Sequence, residues 1–515
     1  MQGREILLAL LAVAMQPSGT FAGTEGSREL LTPRIVPVPR KAVFELTNRV
    51  DVTATPVVLR CDDAGACVWA EGHLREWLRG FSVPPVSFAS RDAVLPHGDE
   101  AYRLEVSPAR VVVTANTLQG VRYALFSYRQ TWEARRGTLK TMGYTAPCSR
   151  VDDWPALPFR GLHLCWFAPD DGVTLRFMEH QLRMAAYCKL NHVVIESWGV
   201  VRSERYPDLG WGGKRSFSLA DVRRLAAQAR DLGLTVVPQL NVFGHAAMAR
   251  YATAKHAVLD CRREYEPLFE PYGGWNWCLT NPEVLKVQTA LIDELLEAWG
   301  RPKFFHIGCD EAEPPSCSAC CAGDYRKVVA EHLCAIVAHL EKQGVRTLMW
   351  HDMLLRRGDE RFKGFYCYGA QDAEQLLDSL PRSVVICDWC YLEPQESYPT
   401  MDYFKAKGFD VLTCPWDRRE GIRAQVKWAR ERGLFGALFT TWHHLVSYDY
   451  AGIWREGPSS AWGAPDWERL CPEYLHVASM WRLMGWDMGL GPDEYEEFGL
   501  ANTQTTRKMK APPER

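Results

Sequence analysis

The stretch "NPEVLKVQTALIDELLEAWGRPKFFHIGCDEA" (281–312) places a helical pattern, a short apolar run and two acids in immediate succession. The first part predicts a helix, because it has an Asn cap, Pro in the first turn and Gly at its end. The run "KFFHIG" (303–308) predicts a buried strand. Asp310 and Glu311 then stand where that strand ends, so the stretch predicts an α/β unit that delivers two carboxylates to one place.

The same alternation of apolar run and helical pattern recurs along most of the chain. A second helix is predicted after Ser218, a favoured N-cap, with an apolar face of leucine, valine and alanine. Eight strands that alternate with helices are what a (β/α)8 TIM barrel requires, and a doubly wound sheet is the alternative. The eight predicted strands are residues 159–167, 192–197, 234–242, 303–308, 346–352, 383–389, 409–416 and 435–443.

A smaller α/β domain is predicted before the barrel. Its sequence contains short strand-like runs and two helical stretches, near 68–79 and 119–133, and the proline-containing "DDWPALPFRG" (152–161) links it to the barrel. The predicted divisions are a signal peptide at 1–22, the α/β domain at 23–150, the barrel at 151–490 and a C-terminal tail at 491–515.

The N-terminal sequence and the charge pattern limit where the protein acts and what it binds. An apolar run over residues 6–15 is too short to span a bilayer and precedes small residues, which predicts an export signal that is cleaved near residue 22. We therefore expect an exported protein, periplasmic or secreted, without a membrane anchor. The net charge of −3, with both signs interspersed, argues against a nucleic-acid partner.

The chain has seventeen cysteines, an odd number, so at least one of them cannot pair within the chain. Cys61 with Cys67, and Cys317 with Cys320, are spaced like possible disulfides in an exported protein. "CSACC" together with Cys309 has the form of half a zinc site, but a single CxxC without a second pair favours a disulfide or free thiols. The sequence thus predicts no metal site and no cofactor.

The acid pair determines the chemistry that we expect at the carboxyl ends of the strands, where barrel enzymes have their active sites. Neighbouring carboxylates in a partly dry site raise the pKa of one of them, so one can donate a proton while the other stays anionic. Ordinary glycosidases place two acids across the scissile bond, roughly 5 to 9.5 Å apart, which does not suit adjacent residues. Asp310 and Glu311 would act on one side, and a substrate group such as a 2-acetamido carbonyl would act on the other.

Several motifs carry a resemblance to a known family. "HIGCDEA" (306–312), with "FRG" (159–161) opening the first strand and "GH" after the third, resembles glycoside hydrolase family 20, the β-N-acetylhexosaminidases. "WHDML" (350–354) and "CSAC" (317–320) are most similar to the hexosaminidase D branch. The resemblance covers residues 33 to about 450. It implies a retaining exo-β-N-acetylhexosaminidase that hydrolyses terminal β-linked GlcNAc or GalNAc, with an amino-sugar glycoside or oligosaccharide as its partner and an oxazolinium intermediate formed by the acetamido group.

The resemblance also assigns roles to individual residues. Glu311 would be the general acid/base, and Asp310 would hold and polarise the acetamido N–H. By the resemblance, Arg160 would bind sugar hydroxyls and aromatic residues would wall the sugar ring. The place of Glu196 at the neighbouring strand end, where the family's supporting Asp is absent, predicts a dyad of Glu196 and His245 that supports Glu311. The implied substrate-binding set is Arg160, Glu196, His245, Trp350, Asp352, Trp389, Tyr391, Trp416 and Trp442.

Departures from the family pattern keep alternatives open. Gln239 and Asn241 stand where the family has acids, and His444 replaces an acid that contacts the sugar O4 in many members. A catalytically diverged N-acetylhexosamine-binding protein is therefore one alternative, and a metal-dependent barrel hydrolase is another, although its usual HxH motif reads "HLCW" here. Arg160 could instead form a structural ion pair, His245 could be a packing residue, and any single tryptophan could belong to the core.

Overall fold

The computed structural model describes most of the chain between residues 35 and 463. The predicted signal peptide, His444 and the predicted tail lie outside the described residues. None of the described helices combines the length and the apolar character that crossing a bilayer requires. The described ranges are 35–136, 141–165, 175–210, 216–247, 263–271, 274–416, 418–442 and 458–463.

The N-terminal part forms a mixed sheet of seven strands with two helices, in agreement with the predicted smaller α/β domain. The strand order is β1-β7-β4-β5-β2-β3, with β6 paired to β7, and the last strand runs past the predicted boundary at residue 150. The strands are β1 (Lys41–Asp51), β2 (Val57–Arg60), β3 (Val86–Ala89), β4 (Tyr102–Val106), β5 (Val111–Ala115), β6 (Glu133–Arg136) and β7 (Thr141–Asp153), and the helices are α1 (Gly65–Trp77) and α2 (Leu118–Gln130).

Eight parallel strands then close into a barrel, which confirms the (β/α)8 prediction. Closure is made by the last strand pairing with the first, with Gly436 opposite Phe159, so the doubly wound alternative is excluded. The strands are β8 (Phe159–Leu164), β9 (His192–Glu196), β10 (Thr235–Gln239), β11 (Phe304–His306), β12 (Arg346–Trp350), β13 (Val385–Trp389), β14 (Asp410–Cys414) and β15 (Gly436–Phe439).

Helices follow the barrel strands, and two of them have the N-caps that the sequence predicts. Ser218 forms a capping box with Asp221, in which each side chain accepts a hydrogen bond from the other residue's backbone N–H. Asn281 accepts from the backbone N–H of Glu283 at 3.0 Å. The helices are α3 (Leu175–Tyr187), α4 (Leu219–Asp231), α5 (Pro282–Ala298), α6 (Ser318–Cys321), α7 (Tyr325–Glu341), α8 (Ala373–Ser379), α9 (Pro399–Ala406) and α10 (Arg419–Arg432).

Buried polar contacts join the N-terminal sheet to the barrel. The Lys189 ammonium is fully buried, and it donates to Asp153 at 2.9 Å and to the Tyr102 hydroxyl at 2.8 Å. A buried lysine needs such partners because its desolvation is costly. The sheet is therefore fastened to the barrel by specific charge pairing as well as by apolar packing.

No disulfide joins any of the described cysteines, so the predicted disulfides Cys61–Cys67 and Cys317–Cys320 are not formed. Most of the fifteen described thiols are buried, as expected for cysteine acting as a small apolar side chain. Cys165, Cys309, Cys387 and Cys414 near the barrel strand ends belong to this buried group.

Candidate active site

The segment after β11 turns sharply to present the two carboxylates. Gly308, Cys309 and Glu311 have φ values of +67°, +79° and +48°, a left-handed conformation that side chains other than glycine rarely adopt. A Cβ at Gly308 would lie 2.6 Å from Asn241, so only glycine allows this approach to the neighbouring strand end. Non-glycine residues in such a conformation are typical of functional sites, where surrounding contacts hold the strain.

A cleft of about 270 Å³ opens at the carboxyl ends of the barrel strands. This is the end at which barrel enzymes carry out their chemistry. Apart from one histidine and the acid pair, the described lining consists of aromatic rings. The lining residues are His245, Asp310, Glu311, Tyr366, Tyr368, Trp389, Tyr391, Trp416 and Trp442.

The two acids of the pair differ in exposure and share one histidine. The Asp310 side chain is 7% exposed, whereas the Glu311 side chain is 45% exposed. His245 Nε2 lies 3.3 Å from Asp310 Oδ2 and 3.3 Å from Glu311 Oε2. A single imidazole thus contacts both carboxylates, and His245 reaches Glu311 directly.

The backbone of Glu311 is held from two sides. Its N–H donates to Asp352 Oδ2 at 2.8 Å, and its carbonyl accepts from Trp275 Nε1 at 2.7 Å. The other oxygen of Asp352 accepts from Trp389 Nε1 at 3.2 Å. Burial, followed by the charge of Asp310, raises the pKa of Asp352 well above its ordinary value. Asp352 is fully buried and does not line the cleft, so the predicted sugar contact is corrected to a positioning role.

A chain of side-chain amides leads from Asp310 into the barrel. Asn241 Nδ2 donates to Asp310 Oδ1 at 3.4 Å, and Gln239 Nε2 donates to Asn241 Oδ1 at 3.0 Å and to Glu196 Oε1 at 3.1 Å. Of the two amides that replace family acids, Asn241 therefore donates directly to the Asp310 carboxylate, and Gln239 donates to Asn241 behind it. Such donors stabilise the anionic form of a carboxyl group.

The predicted dyad of Glu196 with His245 is wrong, because Glu196 contacts a different histidine. Glu196 Oε1 lies 3.2 Å from His163 Nε2, and no hydrogen bond joins the described side chains of Glu196 and His245. Both Glu196 and His163 are buried beneath the cleft. Glu196 is therefore part of the buried polar interior of the barrel and not of the cleft lining.

Stacked aromatic rings form one wall of the cleft. The rings of Trp389 and Tyr391 are stacked with centroids 5.1 Å apart, and Tyr366 lies 4.3 Å from Trp389. Trp442 Nε1 donates to the Tyr391 hydroxyl at 2.8 Å, and Trp416 packs edge-on against Tyr391 at 5.3 Å. These contacts bring together four of the aromatic residues predicted to bind the sugar, in an arrangement that fits a flat apolar ring face.

Trp350 does not line the cleft, contrary to the prediction. It is fully buried inside the barrel, with its ring 5.7 Å from Trp442 and 4.4 Å from His306. It therefore packs against Trp442 from inside the barrel and is too deeply buried to contact a bound sugar.

Arg160 also lies away from the cleft, and its predicted contact with sugar hydroxyls is corrected. It is the second residue of β8, at the opposite end of the barrel, and its guanidinium is buried against the N-terminal domain. It donates to the two Glu100 oxygens at 2.7 and 3.0 Å and to the Tyr123 hydroxyl at 3.0 Å. This is the structural ion pair that the sequence left as an alternative.

Sequence reasoning missed three aromatic residues of the site. Tyr366 and Tyr368 line the cleft from the segment between β12 and α8, and Trp275 contacts His245 with ring centroids 4.3 Å apart. None of the three directly follows a strand, which is where candidates were sought. The clustering of aromatic residues in "GGWNWC" and "GFYCYG" was the available signal.

A larger cleft of about 700 Å³ adjoins the site and shares Tyr368 with it. Arg356, Arg357 and Glu313 are among its lining residues, whereas Asp310 and Glu311 are not. The chemistry therefore belongs to the smaller cleft, and the larger one offers room beside it.

Comparisons with known proteins agree with this geometry. The family described as "Glycosyl hydrolase family 20, catalytic domain" matches residues 180–452, more than half of the chain. A beta-N-acetylhexosaminidase of Cellulomonas fimi is 27% identical over 251 residues, which are 43% of this chain and 48% of that protein. The chain thus spans about half the length of this curated relative.

Solved structures show the same fold. An exo beta-N-acetylglucosaminidase of Vibrio harveyi, in complex with N-acetylglucosamine, has a TM-score of 0.63 at 15% identity and covers 88% of this chain and 78% of its own. A beta-N-acetylhexosaminidase of Bacteroides fragilis has a TM-score of 0.63 at 16% identity and covers 93% and 97%. Together with the match to the catalytic domain, the closed barrel and the acid pair after its fourth strand confirm the predicted resemblance: the chain belongs to glycosyl hydrolase family 20.

Proposed function

We propose that the protein is a retaining exo-β-N-acetylhexosaminidase, which hydrolyses terminal β-linked GlcNAc or GalNAc with the substrate's own acetamido group as nucleophile. The observation that carries the proposal is that Asp310 and Glu311 are adjacent and contact the same His245 nitrogen. Both acids therefore act from one side of the sugar. Membership of family 20 supports this, since the family is a substrate-assisted exception among glycosidases.

Glu311 is proposed as the general acid/base. Its side chain is the more exposed of the pair, and its backbone is fixed at both N–H and C=O. It can therefore reach a glycosidic oxygen while its main chain stays in place. It would protonate the leaving oxygen and later take a proton from the attacking water.

Asp310 is proposed to orient the acetamido group. It is buried and receives a hydrogen bond from Asn241, with His245 also in contact. An anionic carboxylate there would accept the acetamido N–H and raise the nucleophilicity of its carbonyl oxygen. The carbonyl would attack the anomeric carbon as Glu311 protonates the leaving group, and water would then open the oxazolinium ring with retention.

The lining of the cleft supports a nucleophile supplied by the substrate. Among the described lining residues, only Asp310 and Glu311 carry carboxylates, and the others apart from His245 are aromatic. A double-displacement enzyme needs a second carboxylate about 5 to 5.5 Å from the acid on the opposite side of the bond. The stacked wall of Trp389 and Tyr391 instead offers apolar surface to a sugar ring or an acetamido methyl.

The first experiment compares paired aryl β-GlcNAc and β-GalNAc substrates, which also gives the sugar preference. A thiazoline analogue of the cyclised intermediate should bind at least about 10²-fold more tightly than substrate. A trifluoroacetamido substrate should react far more slowly, because its carbonyl oxygen is a poorer nucleophile. Asp310→Asn should lower kcat and leave binding of the free sugar nearly unchanged.

Two outcomes would replace the proposal. A fluorosugar that becomes covalently attached to a carboxylate would reveal a protein nucleophile and exclude substrate assistance. Binding of N-acetylhexosamines without any turnover would favour the diverged binding protein. A metal-dependent hydrolase is the less suitable alternative, because the cluster of possible metal ligands that the described residues form lies outside the cleft.

We also propose that the chain is exported and is cleaved near residue 22, on the basis of its N-terminal sequence. The test is N-terminal sequencing of the protein from cell-free and cell-associated fractions. The absence of a disulfide among the described cysteines makes the opposite outcome informative, because proteins without disulfides are typical of reducing compartments. Assignment to the hexosaminidase D branch likewise stays a proposal that rests on "WHDML" and "CSAC".

A further inference from the structure

Four side chains with metal-binding atoms converge beside the acid loop. Glu270 and Cys278 come from the segment between β10 and α5, and Cys317 and Cys320 come from the segment that follows Glu311 and begins α6. One ligand atom from each lies within 4.8 Å of every other. The weak half-site in the sequence thus acquires two further ligands from a segment about 40 residues earlier.

The sulfur spacing is that of ligands around one ion. Cys278 Sγ lies 3.6 Å from Cys317 Sγ and 3.8 Å from Cys320 Sγ. A tetrahedral site with Zn–S bonds of about 2.3 Å places its sulfurs about 3.8 Å apart. A disulfide would instead bring two of them to about 2.05 Å. Cys278 Sγ therefore already lies at nearly the zinc-site separation from both other sulfurs, which themselves lie within 4.8 Å of each other.

The surrounding hydrogen bonds orient these ligands. Glu270 Oε2 accepts from the backbone N–H groups of Ser316 and Cys317 at 2.8 and 2.7 Å. Glu270 Oε1 is buried and receives no well-formed hydrogen bond from the described residues, although the Cys320 thiol lies near the carboxylate. The N–H of Cys320 donates to Cys317 Sγ at 3.2 Å, and Thr280 Oγ1 lies 3.2 Å from Cys320 Sγ. Such outer contacts fix ligand orientation in metal sites.

We propose that Glu270, Cys278, Cys317 and Cys320 bind a structural zinc ion. Three thiolates and one carboxylate complete a tetrahedral shell, which leaves no open position for catalysis. Backbone N–H donors on the sulfur and carboxylate atoms offset the negative charge of the ligands.

The site would tie together the two segments that hold the general acid. Asn276 exchanges hydrogen bonds with the backbone of Glu313 at 2.6 and 3.1 Å, and Trp275 donates to the carbonyl of Glu311. Trp275 and Asn276 lie between Glu270 and Cys278 along the chain, and Glu311 and Glu313 lie shortly before Cys317. A zinc ion would therefore fix the acid loop without touching the substrate.

The test is the zinc content of the full-length protein, purified without chelator and with reductant. We expect about one zinc ion per chain, and a cobalt-substituted protein should show sulfur-to-cobalt charge-transfer absorption. Cys278→Ser and Cys320→Ser should each lose most of the metal. Cys321→Ser is the matched control, because Cys321 is exposed and its thiol donates to the carbonyl of Pro315.

Several outcomes would overturn the proposal. These are a protein without zinc that takes up none when titrated with Zn²⁺, a disulfide among the three cysteines found by peptide mapping, or equal metal content in the Cys278 and Cys321 variants. Zinc content does not depend on catalysis, so Glu311→Gln should keep its metal even if the proposed activity fails. Chelation should lower the melting temperature of the wild-type protein and of Cys321→Ser, and should leave that of Cys278→Ser unchanged.

Discussion

Asp352 Oδ2 accepts a hydrogen bond from the backbone N–H of Glu311 at 2.8 Å, which links the end of the fifth barrel strand to the proposed general acid at the end of the fourth. Asp352 Oδ1 accepts from Trp389 Nε1 after the sixth strand. One buried carboxyl group therefore sets the position of the acid relative to the aromatic wall.

Asp352→Asn should disturb this position without unfolding the site. The Asn side chain accepts only through its oxygen. Either the Glu311 N–H or the Trp389 Nε1–H would therefore face the amide NH₂ group, which is itself a donor. Because small misplacements of catalytic groups are costly, we expect kcat to fall about 10- to 100-fold with little change in KM. Asp359→Asn, in the same βα connection but paired with Arg361, is the control. A KM effect without a kcat effect would contradict the positioning role.

Glu311→Gln removes the proposed proton donor and keeps the shape of the side chain. General acid/base catalysis contributes about 10² to 10⁴ in rate, so a poor leaving group should lose that much. An activated aryl leaving group needs no proton and should lose less in the glycosylation step. Glu313→Gln, two residues away and exposed, should retain activity. Equal losses with both classes of leaving group would show that Glu311 is not the acid.

Changing His245 or Glu196 to glutamine should have different effects, one on the pH dependence of the rate and the other on stability. His245 contacts both acids of the pair, so His245→Gln should shift the pH dependence of kcat/KM. Glu196 contacts His163 and Gln239 beneath the cleft, so Glu196→Gln should mainly lower the melting temperature. Kinetic pH profiles and thermal unfolding of both variants test this, and identical profiles for the two would restore the predicted dyad.

The sequence was sufficient for the barrel because each strand is a short apolar run that is buried on both faces. "KFFHIG" becomes Phe304–His306, and the helix before it begins and ends at the predicted caps. The place of Asp310 and Glu311 at a strand end could be predicted in the same way, because they directly follow this apolar run. Two adjacent acids directly after a buried strand have few structural explanations.

The wrong site predictions concern the direction in which a side chain points and the depth at which it lies. A position on a strand or at its end does not by itself specify either. Phe159 points into the barrel, so Arg160 points out and meets Glu100 on another domain. Trp350 points inward as expected but one layer too deep to meet a ligand. Contacts between distant loops, such as Cys278 with Cys317, carry no local sequence signal.

Arg160→Met tests whether that arginine is structural. The change removes the guanidinium partner of the Glu100 carboxylate, which is 21% exposed, and loss of one member of a buried pair costs at most about 3 to 5 kcal/mol. We expect a large fall in unfolding free energy and an unchanged KM for aryl substrates. The double variant Arg160→Met/Glu100→Gln should regain part of the stability. A raised KM with normal stability would instead return Arg160 to the sugar site.

Asp388 should make stability fall as the pH rises. It is fully buried near the end of β13, where burial raises its pKa to about 7. His351 Nε2 is 3.6 Å away, but burial lowers the pKa of His351 to about 3, so it offers no positive charge at neutral pH. In the unfolded chain an aspartate titrates near pH 4. The unfolded state therefore loses this proton first, and the contribution of Asp388 is fully present below about pH 4 and lost as the pH rises to about 7.

Asp388→Asn should remove this dependence because its side chain stays neutral. The shift of about three units corresponds to about 4 kcal/mol at most. Urea-unfolding midpoints of the wild-type protein and the variant should therefore be similar near pH 4, and the variant should be the more resistant at pH 8. Other titrating groups cancel in this difference, since both proteins contain them. Midpoints that stay parallel from pH 4 to pH 8 would show that the Asp388 carboxyl is ionised in the folded protein throughout, with a positive partner at its side.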